Sequence, residues 1–380
     1  MYGGTSFSKG GKLGYSIFKY TLKFLSIRKK DSRKRVSGQK ISGTVLQIIL
    51  TRNQFNISKA LKISQNQVFF EKCYSKNRSV KFYSRKKLIA FLFNHPRTIL
   101  QELSTQKDHL LKENWIRIIK LLWIKSVLIE ILECSKSIKY LINYNDHSPY
   151  NVMIHQIGKE YDITTIYIQH ANVNNKFPAL YHDINLLFNQ KSLEIYKSNG
   201  RISGKVELIG DVRLNQLKNL KRNIIRNRVL ICPNKLDDIK DVIKFSRNLK
   251  HYGFDPVVRP HPRDKRWKFV YSIKVSRNKS VKEDLLNINY LITNESAIII
   301  ESIFLKIHSY LYNFKSVTNS PKIYDNYKFI RDGLVERKIN TIDELVQLMK
   351  ENKDLINYKM LKEYTGPHVN CETIKTINNQ

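Results

Sequence analysis

A chain of 380 residues with 42% hydrophobic content is long enough for two domains of ordinary size, each with a real core. Lys and Arg number 67 against 32 Asp and Glu, a formal charge of +35, which favours polyanions, acidic lipid headgroups or acidic saccharides and says nothing about fold. The four cysteines, Cys73, Cys134, Cys232 and Cys371, are widely spaced with no CxxC pair, which argues against a disulfide framework or a zinc site and for a reducing cytosol.

Part of the charge has a bland source. The chain is rich in Lys, Ile and Asn, as an AT-rich genome would make it, and that inflates lysine without functional demand. Residues 1–40 hold eleven Lys or Arg and one Asp, densest in "IRKKDSRKR" and preceded by "YSIFKYTLKFLSI". Residues 1–42 are therefore read as a basic N-terminal segment. It is either a solvated tail or an amphipathic stretch on the anionic inner face of the cytoplasmic membrane. No signal peptide is expected, because the segment lacks a continuous apolar centre and a clear cleavage site. "IRIIKLLWIKSVLIEILE" is broken by Lys120, Lys125 and Glu130, which predicts an amphipathic packing helix and not a span.

From about residue 43 to 212 the pattern is α/β. Strands are expected at 87–93, 138–143, 164–169, 184–188 and 205–210, and helices at 113–134, 148–160 and 190–199. Ser148 before Pro149 suits a helix start. A second α/β unit, 213–365, begins with a strand at 228–233. A helix closed by Gly253 follows, then a strand at 255–262 stopped by its prolines. Ser280 and Glu283 suggest a capping box for a short helix. A strand at 289–293, a helix at 296–305, a strand at 308–312 and a last helix capped by Thr341 complete the unit. Residues 366–380 are left as a tail. Two blocks of alternating strands and helices predict two parallel, Rossmann-like sheets.

Ligands of such sheets bind at the carboxyl ends of the strands. The polar residues found there are Asn145, Asp146 and His147, then Gln169 and His170, in the first unit. In the second they are Arg259 and His261, then Asn294, Glu295 and Ser296. Ser296 stands where a strand becomes a helix, so its hydroxyl and the unpaired first-turn N–H groups suit a phosphate. Glu301, farther along that helix, could reach a sugar hydroxyl. In "VVRPHPRD" two prolines fix the backbone around His261 while Arg259 and Arg263 flank it, a set able to hold phosphate oxygens. "DDIKD" (237–241) reads as compensation of a helix dipole, and His95 as structural. No Asp-x-Asp pair follows a strand, so no essential metal and no cofactor is expected.

"RPHP" followed by "LLNINYLITNESAIIIES" resembles the donor half of bacterial GT-B glycosyltransferases of surface polysaccharide synthesis. The nearest groups are the polysialyltransferase-like and CDP-glycerol glycerophosphotransferase-like enzymes. "NDHSPYNVMIHQIGKEYDITTIYIQHA", "FPALYHDINLLFNQKSLEIYKSNG" and "VELIGDVR" resemble their acceptor half, and the likeness spans roughly residues 87–350. It implies a GT-B fold facing an interdomain cleft, with nucleotide phosphates on His261, Pro262 and Ser296 and the ribose on Glu301. The donor set expected is Arg259, His261, Pro262, Arg263, Asn294, Ser296, Glu301 and Ser302. Ala171 stands where the family has glycine after the histidine, and Asn294-Glu295-Ser296 where paired small hydroxyls are commoner.

The expected activity is metal-independent, inverting transfer from a nucleotide-activated sugar, a cytidine nucleotide by preference, to an acidic or lipid-linked glycan. His170 or Asp146 would be the base, with Gln169 and Asn145 lining the acceptor side. The expected location is cytoplasmic, peripheral to the membrane. Alternatives are a CDP-polyol phosphotransferase, a UDP-sugar transferase or a sugar-nucleotide epimerase of the same architecture. A basic nucleic-acid-binding protein is the rival of another class, with no recognised module to support it.

Overall fold

A computed structural model describes residues 43–63, 67–69, 80–81, 115–145, 149–174, 177–262, 264–278, 280–294, 296–316, 327–367 and 371–378. The basic N-terminal segment, the strand expected at 87–93, His95, Asp146, His147, Ser148, Arg263 and Glu295 lie outside them.

The first sheet has seven parallel strands: β1 (Val45–Ile49), β2 (Gln67–Phe69), β3 (Val80–Lys81), β4 (Tyr140–Asn143), β5 (Thr164–Ile168), β6 (Ile184–Leu187) and β7 (Lys205–Leu208). Their order across the sheet is β3-β2-β1-β4-β5-β6-β7. Strand β1 was not among those expected. It is buried along its whole length, and the polar group in its middle, Gln47, is satisfied internally. Gln47 donates to the Ile63 carbonyl (3.1 Å) and accepts from Ser58 (2.6 Å) and from the Tyr144 hydroxyl (2.7 Å). A parallel strand covered on both faces shows no alternation to reveal it.

Helices α1 (Arg52–Ala60), α2 (Trp115–Cys134) and α3 (Pro149–Glu160) join these strands. Thr51 starts α1 with a capping box to Gln54. Helix α2 departs from the amphipathic expectation: from Leu121 to Leu132 all but Ser126 are buried or half-buried, Lys125 included. A helix apolar nearly all round belongs inside a protein. Burial pushes the Lys125 ammonium below its ordinary range, opposed by Glu160, 3.9 Å away.

After α4 (Gln190–Asn199), β7 and the short α5 (Val212–Asn215), the chain enters a four-stranded parallel sheet. Its strands are β8 (Arg228–Cys232), β9 (Asp255–Val258), β10 (Tyr290–Thr293) and β11 (His308–Leu311), in the order β11-β10-β8-β9. Helices α6 (Ile239–His251), α7 (Val281–Leu285), α8 (Ile298–Phe304) and α9 (Ile342–Lys350) accompany it. The fold is thus α/β with two parallel sheets. Helix α6 starts at Ile239 with Asp238 as its cap, so Asp237 lies outside the helix in which it was expected. Ser280 caps α7 by accepting from the Lys282 amide (3.2 Å).

The chain then returns to the first sheet. Helix α10 (Tyr358–Thr365) packs its Tyr364 with Leu214, Leu217 and α8. Gly366 follows with φ +72°, and a Cβ there would sit 2.0 Å from the Phe188 carbonyl oxygen, so only glycine fits. The tail expected over 366–380 contains helix α11 (Glu372–Asn378). Its Ile374 and Ile377 join Cys371 in the core of the first sheet with Ile142, Ile166 and Leu186, which is apolar area enough to fix a terminus.

Candidate active site

In each sheet the strand order reverses once, between β1 and β4 in the first and between β8 and β10 in the second. Loops leave such a point toward opposite faces and open a crevice at the carboxyl ends of the strands.

At the first point the Asn143 side chain fastens the end of β4. Its Oδ1 accepts from the Asn145 amide (3.0 Å), and its Nδ2 donates to the Asn145 carbonyl (2.6 Å) and to Asn151 Oδ1 in α3 (2.9 Å). The same Nδ2 lies 3.1 Å from Nε2 of His182. Burial, with His155 adding, pushes His182 down to about 3 against the pull of Asp183, so this imidazole is neutral and structural. Asn145, expected to line the acceptor side, is itself buried and is part of this clamp.

On the next strand, Gln169 was expected to line the cleft but is fully buried. Its Oε1 accepts from the Phe188 amide (2.8 Å), and its Nε2 donates to the Ala171 carbonyl (2.9 Å) and to Ser192 (3.0 Å). Both ends of the amide are spent on the turn that carries the half-buried His170. Gln169 positions that turn and presents nothing to a ligand.

At the second reversal, Asp237 and Asn294 span the gap. Asn294 Nδ2 donates to Asp237 Oδ1 (2.7 Å), and its Oδ1 accepts from Lys338 Nζ (3.0 Å). Asp237 Oδ2 accepts from the Asn234 amide (2.8 Å). Burial pushes the Asp237 carboxyl up to about 6, with Asn294, the Asn234 amide, Lys338 and Arg266 opposing. Asn294, expected on the nucleotide, has both ends of its amide engaged and so holds the β10–α8 turn.

A pH dependence follows. Between the ordinary 3.8 and about 6 the folded chain keeps a proton that the unfolded chain has lost, so stability falls as pH rises through that window. Asp237→Asn is expected to flatten this descent, worth on the order of 2–3 kcal/mol, in melting curves taken across it.

The "RPHP" segment leaves β9 beside this network. Arg259 was expected to face a phosphate, but its Nη1 pairs with the buried Asp284 and reaches Ser276 (3.3 Å) and the Asn278 carbonyl (3.2 Å). Asp284 in turn accepts from Ser276 (2.8 Å) and Asn278 Nδ2 (2.6 Å). Arg259 thus locks the segment to α7. His261 and Pro262 are exposed, and the His261 carbonyl accepts from the Asp264 amide (2.8 Å). Ser296 is half-buried with its hydroxyl 3.5 Å from the Ile298 amide at the start of α8. Ser302, one turn on, is a correction: it is fully buried, and its hydroxyl serves the Ile299 carbonyl (2.8 Å) and Ser309 (2.7 Å).

The two sheets meet at Arg213, which the sequence had not singled out. Its Nε donates to Asp211 (2.9 and 3.1 Å), and its Nη2 donates to Asp211 and to Asn172 Oδ1 (2.7 Å), two residues beyond His170. The guanidinium lies 5.3 Å over the Phe188 ring. From the other sheet, Glu301 of α8 feels this charge. Burial pushes the Glu301 carboxyl up, Arg213 opposes and Asp211 adds to the rise. Lys282 of α7 is held down by burial against Glu301, and its ammonium donates to Gln216 just after α5. Groups from the carboxyl ends of both sheets therefore converge on one spot. A strand-end search extended to "IGDVR" after β7 would have found Asp211 and Arg213.

No protein-family model and no curated protein matches the chain. Solved structures similar to it include the UDP-GlcNAc 2-epimerase from Methanocaldococcus jannaschii, 14% identical over 88% of this chain and 99% of that one, TM-score 0.49. The UDP-GlcNAc 2-epimerase from Neisseria meningitidis, solved bound to UDP-GlcNAc, is 13% identical over 88% and 96%, TM-score 0.45. The wall teichoic acid polymerase TagF, in its H444N form with CDPG, is 14% identical over 98% and 92%, TM-score 0.47.

Proposed function

We propose that the chain is an inverting, metal-independent glycosyltransferase of GT-B type. It would take a sugar from a nucleotide, a cytidine nucleotide by preference, for a bacterial surface polysaccharide. The observation that supports this reading is Arg213, whose guanidinium donates to Asn172, two residues past His170, while its charge acts on the buried Glu301 carboxyl of the second sheet. The sequence likeness around "RPHP" and "NES" supplies the donor class.

In this reading His170 accepts the proton of the acceptor hydroxyl as its oxygen bonds to the anomeric carbon. The bond from that carbon to the nucleotide phosphate breaks on the opposite face. The negative charge left on phosphate is met by His261, by Ser296 and by the N–H groups opening α8. Glu301 takes the ribose hydroxyls. Arg259, through Asp284, and Asn294, through Asp237, hold the two donor loops in place. Asp146 is the alternative base in this reading, Pro262 and Arg263 belong to its donor set, and an acidic or lipid-linked glycan is the acceptor.

The test is a thermal-shift panel of CMP, CDP, UDP and GDP on the parent chain and on His261→Ala. A cytidine nucleotide should raise the melting temperature of the parent and not of the variant. No stabilisation by any nucleotide, or an unchanged response of the variant, overturns the donor site. His170→Ala should keep the nucleotide response and lose about 10²–10⁴ in transfer rate. Conversion of UDP-GlcNAc in the absence of any acceptor would instead establish an epimerase.

A further inference from the structure

Two aromatic rings stand in water for no reason internal to the fold. Phe269 is 80% exposed and Tyr271 77%, while among the described residues every other exposed large hydrophobic is 48% exposed or less. They belong to a short 3-10 turn, Lys265–Phe269, and the strip after it. That strip is anchored on its other side: Trp267 is buried in the core of the second sheet, Val270, Ile273 and Val275 pack against the same core, and Val275 bridges to Val258. Anchored neighbours on both sides hold the two rings outward. Exposing them sacrifices apolar burial that the alternating pattern could have gained.

The rings are set among cations. Lys265 and Lys268 are exposed in the same turn, and among the described residues neither has an ion-pair partner. Arg266 ties this turn to the loop after β8 by donating to the Lys235 carbonyl (2.7 Å) and the Asp237 carbonyl (3.3 Å). Those two contacts flank Leu236, so Lys235 and Leu236, both exposed, lie beside the aromatic turn. Among the described residues of the patch the one guanidinium, Arg266, is engaged by these carbonyls and by Asp264 (2.7 and 2.8 Å). What remains outward is two rings, one aliphatic side chain and three ammonium groups.

We infer that this patch, formed by Phe269, Tyr271, Leu236, Lys235, Lys265 and Lys268, docks on an anionic phospholipid surface. Aromatic rings settle at the level of the headgroups, and lysines beside them meet lipid phosphates. Single-stranded nucleic acid would also stack on rings. An exposed leucine adds nothing to stacking, however, and among its described residues the patch leaves no guanidinium to read a base or grip a phosphate by two prongs. The patch borders Asp237 and so lies at the rim of the second strand-end crevice, a position suited to receiving a ligand from a membrane. It is separate from the basic N-terminal segment and stands whether or not the crevice transfers sugars.

The test uses the full chain with Phe269→Trp, whose added indole is read as the difference in emission from the parent, which carries Trp115, Trp123 and Trp267. Vesicles of phosphatidylcholine with phosphatidylglycerol should shift its emission to the blue, and phosphatidylcholine alone should not. Lys265→Gln with Lys268→Gln should weaken the titration by about fivefold per charge. Phe269→Ser with Tyr271→Ser, which leaves the melting temperature unchanged, should reduce vesicle co-sedimentation. Co-sedimentation with no emission shift would place all lipid contact elsewhere and overturn the inference. An equal shift with neutral vesicles, or a larger one with single-stranded RNA, would overturn it too.

Discussion

Arg213→Ala is expected to destabilise the chain by about 3–5 kcal/mol, because it strands the Asp211 carboxylate in the interior. The Asp211 side chain is 1% exposed, and its only cation among the described residues is this guanidinium. The backbone makes matters worse for the variant. Asp211 also caps α5 by accepting from the Arg213 amide (3.0 Å), and its own amide donates to the Thr365 carbonyl at the end of α10 (2.9 Å). Asp211 thus joins the crossing into the second sheet through its carboxylate and the returning helix through its amide. Denaturant unfolding measures the loss directly. Asp211→Ala combined with Arg213→Ala should recover part of it, since no buried charge is left alone. Arg213→Lys is the informative intermediate: an ammonium can neutralise Asp211 but cannot also fork to Asn172. In the proposed reaction that variant should fold and bind nucleotide yet turn over more slowly, because the turn after His170 loses its tether.

The second sheet was readable in outline from the sequence because its strands are short apolar runs between clear stops. The run at 228–233 became Arg228–Cys232, and that at 289–293 became Tyr290–Thr293. The strand expected to run to Pro262 ends at Val258, although the Arg259 amide still donates to the Ile231 carbonyl (2.8 Å) before Pro260 removes the next donor. The first sheet was harder. Strand β2 has three residues, β3 has two and β1 hides a buried glutamine, so neither length nor alternation marks them.

Site residues divided along similar lines. Being at a strand end is legible, and His170, His261 and Ser296 are where that rule placed them. Whether a polar group is already spoken for is not legible when its partner is far along the chain. Arg259 answers to Asp284 and Asn294 to Asp237, pairings set by the crossover of β9 and α7 around β8. Ser302 failed for a local reason. Three isoleucines in a row, Ile298 to Ile300, erase the helical phase that would have shown it pointing inward.

Acid should release the carboxyl-terminal helix before it unfolds the rest, and Glu207 is the reason. Lying at the end of the chain, α11 is held to β7 by one carboxylate. Glu207 accepts from Cys371 Sγ (2.9 Å) and from the Thr373 hydroxyl at the head of the helix, and pairs with Lys205 (2.8 Å). Burial alone would push this carboxyl up, but the hydrogen bonds from Cys371, Lys205 and Thr373 outweigh it and hold it at about 2. A carboxylate depressed on folding contributes stability that is complete above its unfolded value, near 4.5, and is lost as pH falls from there toward about 2. With Lys205 largely in water the contribution is on the order of 2 kcal/mol. Glu207→Gln should remove it at neutral pH and leave α11 open to hydrogen exchange and to proteolysis ahead of the global transition. The parent should reproduce that behaviour only in acid, most cleanly below 3.8, where Asp237 is protonated in both the folded and the unfolded chain and no longer changes stability. An α11 that exchanges at the same rate in parent and variant at neutral pH would mean that Ile374 and Ile377 suffice to dock it without Glu207.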